Sequence, residues 1–151
     1  YVRHEIIPKA KARNAHLLDT LCRTMNLIAD EDDYLDDLAR QAAQEHLEWI
    51  GQAGTAEWDG CLFKPTFGKV ARPLQRRVVL AVLEVFAGQD ARIESSTIET
   101  FLSAFDAKGN PISGFVTNIQ GNLAVSANKR GVLLEPMACF RARRKPNKAE
   151  N

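Results

Sequence analysis

The chain has 151 residues, of which 45% are hydrophobic and 26% charged, and its formal net charge is +1. This is the composition of an ordinary globular protein, long enough to bury a core without covalent staples. No apolar run approaches the roughly 18 residues of a membrane span, so no membrane partner is expected. Tyr1 to Pro8 has neither the long apolar region nor the small-residue cleavage site of a signal peptide. With Tyr1 where an initiator Met would stand, the chain reads as the later part of a longer protein. Cys22, Cys61 and Cys139 are odd in number and lack C-x-x-C spacing. They suit buried thiols in a reducing cytoplasm better than a disulfide framework or a zinc site.

The small net charge hides a segregation. Residues 1–13 carry four basic groups against one acid, residues 14–59 two against eleven, and residues 60–151 fourteen against seven. A protein that approaches a polyanion would present the basic ends and turn the acidic middle away. A solvated surface with uneven charge is the plainer alternative.

In chain order, Val2 to Arg13 predicts a short helix reset near Pro8. Leu18, Leu21, Cys22, Met25 and Ile28 repeat at helical spacing, and Cys22 on that stripe is expected in the core. Asp30 to Asp33 suit the positive end of a second helix rather than a metal site. That helix would bury Leu35, Leu38, Ala42, His46 and Trp49 and stop near Gly51 to Gly54. Residues 55–71, with Gly60, Pro65 and Gly68 among Trp58, Leu62, Phe63 and Phe67, predict a loop or short extended stretch anchoring aromatics. Trp49 and Trp58 could stack on bases, but their apolar neighbours favour core roles.

Arg72-Pro73 opens a further helix, since proline suits a first turn. Its stripe is Leu74, Val78, Ala81, Val82, Val85 and Phe86, and Gly88 ends it. Ser96 and Glu99 match a capping box for a helix carrying Ile98, Phe101, Leu102 and Phe105. After the turn at Asp106 to Pro111, Phe115–Ile119, Leu123–Ser126 and Val132–Leu134 predict short strands, separated by Gly121-Asn122 and Lys129-Arg130-Gly131. The expected class is α+β: about four to five helices, then a small antiparallel sheet of about three strands.

Two stretches resemble the tRNA(Ile)-lysidine synthase family. Val2-Arg3-His4-Glu5-Ile6-Ile7-Pro8 is similar to the second half of the family's Arg-Asn-x-x-Arg-His-x-x-Leu-Pro motif, and Asp32-Asp33-Tyr34-Leu35-Asp36 to the acidic segment that follows it. Arg72-Pro73-Leu74-Gln75-Arg76-Arg77 is similar to a helix start in the family's substrate-binding domain, and the closing run through Gly121-Asn122-Leu123 fits as well. The likeness spans most of residues 1–135. It implies an ATP-dependent ligase that joins lysine to the wobble cytidine of an isoleucine tRNA in the cytoplasm. It also implies that ATP, with Mg, and lysine bind a preceding domain with a Ser-Gly-Gly-x-Asp-Ser loop. No such loop occurs here, so this chain alone is expected to be inactive, with no catalytic residue, cofactor or metal of its own. Residues 1–55 would be a helical linker, 56–140 a tRNA substrate-binding domain and 141–151 a basic disordered tail; a homodimer is compatible with this layout.

Within that reading Arg3 would reach a phosphate of ATP or tRNA, because a guanidinium fork meets phosphate oxygens in pairs. His4 reads as a surface or packing residue. Arg72, Arg76 and Arg77 lie where cations oppose a helix dipole, so an anion should offset them. That anion is either a tRNA phosphate or the acidic segment 31–48. Arg141, Arg143, Arg144, Lys145 and Lys148 would add sequence-independent affinity for nucleic acid. The competing reading is a non-enzymatic helical module whose basic ends dock on an acidic protein partner. A complete small enzyme finds no support in the residues, which offer neither paired carboxylates nor a nucleophile with its base.

Overall fold

The computed structural model of the chain describes residues 1–14, 16–51, 58–88 and 91–144. The chain forms two compact units, Tyr1–Asp37 and Leu38–Asn151.

In the first unit a π-helical turn, Val2–Ile6, runs into helix α1, Ile7–Arg13, with Pro8, which has no N–H to donate, at the junction of the two. Helix α2, Leu17–His46, begins in this unit and ends in the second. It is one helix of 30 residues where two were expected. Asp30 to Asp33 do not start a new helix, because acids lower the energy of a helix start without ending the helix before it. Glycine and proline are the residues most costly to a helix interior, and there is none between residues 17 and 46. The apolar stripe is present but exposed: Leu18 retains 38% of its accessible surface, Met25 67% and Ile28 60%. Cys22 is likewise exposed, against the expectation of a core thiol. Periodicity marks which face is apolar, not whether anything covers it.

The second unit is an antiparallel sheet of five strands among the described residues, in the order β1-β2-β5-β4-β3. The strands are β1 Leu47–Ile50, β2 Gly60–Phe63, β3 Val116–Ile119, β4 Leu123–Asn128 and β5 Gly131–Pro136. The three C-terminal strands match expectation; β1 and β2 are additional. β1 follows α2 without a break and so takes Trp49 out of the helix assigned to it, while the end expected at Gly51 to Gly54 lies partly outside the described residues. β2 is four residues inside a Gly- and Pro-bearing stretch and is too short to show an alternation. Lys64 ends α2: its N–H donates to the His46 carbonyl at 2.9 Å and its Nζ to the Glu45 carbonyl at 3.0 Å. A cation there satisfies orphan carbonyls and favours the negative end of the helix dipole.

A 3-10 turn, Pro65–Lys69, leads to helix α3, Arg72–Ala87, which Gly88 ends with φ +88°. Helix α4 is Ser95–Leu102 and helix α5 Met137–Arg144. α3 buries Gln75, Val78, Val79, Val82 and Leu83, whereas Ala81 and Val85 of the expected stripe face solvent. The main core joins Ala39 and Ala42 of α2, the α3 stripe, Phe101 and Leu102 of α4, and Leu123, Val125, Val132 and Leu134 of the sheet. Phe63, Phe67, Phe101 and Phe105 run through it, with ring centroids 4.5–5.9 Å apart in successive tilted or edge-on pairs. Cys61 is fully buried there, and burial pushes its thiol up to about 12. Because side chains alternate along a strand, Ala124 packs elsewhere, with Met137 and Phe140 of α5. The expected disordered tail is thus helical through Arg144; residues 145–151 lie outside the described residues.

Candidate nucleic-acid interface

Among the expected anion-binding residues, Arg72 and Arg76 are brought together by one carboxylate. Arg72 Nη2 donates to Glu99 Oε2 and Arg76 Nε to Glu99 Oε1, each at 2.6 Å. For Arg72 and Arg76 an internal carboxylate partner is Glu99 of α4. All three side chains remain about half exposed, at 43–54%. The hydrogen bond from Arg76, then that from Arg72, holds the Glu99 carboxyl below its usual range. A shallow cleft of about 340 Å³ lined by Arg76, Ser95, Ile98 and Glu99 opens beside the contact.

The first of these arginines is also held from below. Gln75, only 4% exposed, donates through Nε2 to the Phe67 carbonyl at 3.0 Å and accepts from Arg72 Nη1 at 3.4 Å. The buried amide thereby ties the guanidinium to the backbone under the core. Glu99 is available to the arginines because α4 is capped differently from expectation. Its N-cap is Glu94, and Ser96 Oγ turns back to Glu94 Oε2 at 3.2 Å instead of closing a box with Glu99. Gln120 supplies the polar partners at the helix entry. Its Oε1 accepts from Glu94 N at 3.1 Å and Thr97 Oγ1 at 3.2 Å, and its Nε2 donates to the Arg92 carbonyl at 2.6 Å.

Two cations missed in the sequence join this edge of the molecule. Gly68 and Gly109 pack backbone to backbone, so closely that a Cβ on Gly68 would lie 2.1 Å from the Gly109 carbonyl oxygen. This places exposed Lys69 and Lys108, 39 positions apart in sequence, on adjoining backbone just before the first turn of α3. Asp106 lies beside Lys108, whose charge is one of the influences on its carboxyl, but its shortest hydrogen bonds go to backbone. Its Oδ1 accepts the N–H groups of Lys108 and Asn110, both at 2.8 Å, and closes its own turn. Those bonds, the one from Asn110 foremost, hold the Asp106 carboxyl below its usual range. The signal that could have found the lysines is the pair of glycines, each followed or preceded by a lysine; only their contact makes them neighbours.

The remaining candidates separate. Arg143 is a structural arginine: Nη2 donates to Glu135 Oε1 at 2.5 Å and Nε to Oε2 at 3.4 Å, and the Glu135 side chain is only 5% exposed. That hydrogen bond raises the Arg143 pKa further. Arg144 lies over the Phe140 ring at 4.8 Å, a cation–π contact. Arg141 is exposed on the same helix, and Lys145 lies outside the described residues. Arg77 is half-buried and makes an interaction of its own. Arg3 and His4 are exposed on the π-helical turn of the first unit. Trp49 and Trp58 form a pair at 5.2 Å with Phe86 behind Trp49; Trp49 is half-buried, as a core role requires, while Trp58 keeps 37% of its surface.

Among the described residues no cluster of His, Cys, Asp and Glu could hold a metal ion, and no helix is long and apolar enough to cross a membrane. No protein-family model matches the chain, and no curated protein matches it by sequence.

Proposed function

We propose that this chain is the tRNA-holding part of a lysidine-forming ligase, with ATP, Mg and lysine handled by a preceding catalytic domain. The observation that carries the binding half of this reading is the arginine pair of α3. Arg72 and Arg76 converge on one point at an exposed edge, with Lys69 on the turn that leads into α3 and Lys108 on the segment whose Gly109 packs on Gly68. Guanidinium groups that converge in this way suit phosphate oxygens, which they meet in pairs. The lysidine half rests on the likeness of residues 2–8 and 72–77 to the synthase family. Arg3, Arg141 and Arg144 are further phosphate contacts in this reading; Arg143 contributes to the fold instead.

The test is binding of an isoleucine tRNA to the folded chain by electrophoretic shift across a salt series. A gain in affinity as salt falls, weakened in Arg72→Ala and Arg76→Ala, is the expected result. A folded chain that shifts no tRNA at low salt would sink the reading. A second reading has one observation in its favour. The stripe Leu18, Leu21, Met25 and Ile28 is an exposed apolar helix face of the kind that docks on protein. In that reading the chain is a helical interaction module, and its basic residues meet an acidic protein.

A further inference from the structure

We propose that Glu99 is a built-in phosphate surrogate: it holds Arg72 and Arg76 converged in the free protein, and an RNA phosphodiester displaces it. This rests on the tRNA-binding reading above and adds a device to it.

The geometry has three parts. First, the two carboxylate oxygens each take one guanidinium at 2.6 Å, one oxygen per arginine. A phosphodiester also offers two charged oxygens on one centre, so it can replace the carboxylate without moving either arginine far. Second, Arg72 is held independently of Glu99. Gln75 anchors it to the Phe67 carbonyl, and Arg76 lies one helical turn on, with Glu99 as its hydrogen-bond acceptor. Loss of Glu99 therefore leaves one oriented donor and frees the second, beside it, for an incoming anion. Third, Glu99 has a path away. Its side chain is 43% exposed and takes no part in capping α4, and the cleft lined by Ser95 and Ile98 adjoins it.

A half-exposed carboxylate between two cations contributes little to stability, because water screens the attraction. Its negative charge opposes an incoming phosphate at the same point much more directly. Glu99 thus lowers the affinity of the arginine pair for isolated anions, while a polyanion that also engages Lys69 and Lys108 retains enough attraction to displace it.

The experiment uses the whole chain, an isoleucine tRNA, inorganic phosphate as the small-anion probe, and three proteins: wild type, Glu99→Gln, and Glu99→Gln combined with Arg72→Ala and Arg76→Ala. Gln keeps the size and one acceptor but removes the charge. We expect Glu99→Gln to bind tRNA about 5- to 10-fold tighter at moderate salt, as removal of one charge a few ångströms from a phosphate implies. The logarithmic salt slope should steepen by about one phosphate contact. The triple variant should lose that gain. The Arg76 Nε–H resonance, followed by NMR, should shift with inorganic phosphate at lower concentration in Glu99→Gln than in wild type. Wild-type binding that Glu99→Gln leaves equal or weaker, in a protein whose unfolding curve shows it folded, overturns the surrogate and leaves the tRNA reading standing. Absence of tRNA binding in wild type and Glu99→Gln alike overturns both.

Discussion

The α3–α4 edge and the β5–α5 edge each bind arginine to a glutamate, and water separates the two cases. Glu99 is 43% exposed and shared between Arg72 and Arg76; Glu135 is 5% exposed and belongs to Arg143, with Ser126 Oγ 3.4 Å from the same guanidinium. A carboxylate in contact with water can change partners at little cost, so the first contact suits a binding edge. A buried carboxylate that loses its cation has nothing to replace it, so the second is part of the fold. Composition makes the two look alike, since the arginines of both lie in basic stretches of the sequence.

The largest expected effect lies in the backbone beneath the first contact. Gly109 has φ +78°, and a Cβ there would lie 2.4 Å from the Gly68 carbonyl oxygen. Gly109→Ala should cost about 3–4 kcal/mol, combining left-handed strain with overpacking against backbone that cannot yield. Chemical denaturation measures it; a loss below about 1 kcal/mol would mean that the two glycines do not fix that edge.

Next comes the buried carboxylate. Arg143→Ala should destabilise by about 2–3 kcal/mol, less than the loss for a fully buried pair because the guanidinium is half exposed. Arg143→Ala combined with Glu135→Leu should recover most of that loss, because the stranded charge is then gone. Failure of the double variant to recover would show that Arg143 acts through packing on Phe140 instead.

Arg72→Ala and Arg76→Ala should each change stability by less than about 1 kcal/mol, as exposed pairs do. The same changes should weaken tRNA binding several-fold at low salt and flatten its salt dependence. A stability loss as large as that of Arg143→Ala would erase the contrast between the two edges.

The smallest effect is in the pH dependence. Because its folded pKa is depressed, Glu99 contributes stability present above the ordinary Glu range and lost as pH falls through the lowered folded value. Glu99→Gln should flatten the acid limb of the stability curve slightly; unfolding followed between pH 6 and pH 3, starting above Glu's ordinary value of about 4.3, checks it.

Much of this molecule was legible in local signals. Pro73 and Gly88 bound α3 as proline and glycine should, and the Asp106 turn and the β4–β5 hairpin lie where the turn residues place them. Signals that depend on a distant partner were not legible. Ser96 and Glu99 carry a capping-box spacing, yet Gln120 serves the entry of α4 and Glu99 turns to the arginines of α3. Trp49 has helical spacing from its predecessors, yet pairing with Cys61 makes it a strand residue.

By itself, then, the sequence determined an α+β protein of early helices and late strands, with segregated charge and arginines at the start of α3. Those properties are local: they follow from proline and glycine geometry, periodicity and turn chemistry over a few residues. Tertiary structure alone decided which carboxylate each arginine meets, which of those carboxylates is dry, and that the backbone beside Lys108 meets that of Lys69. Each of these needs segments far apart in the chain to pack first, as the contacts of Gly68 with Gly109 and of Arg76 with Glu99 show.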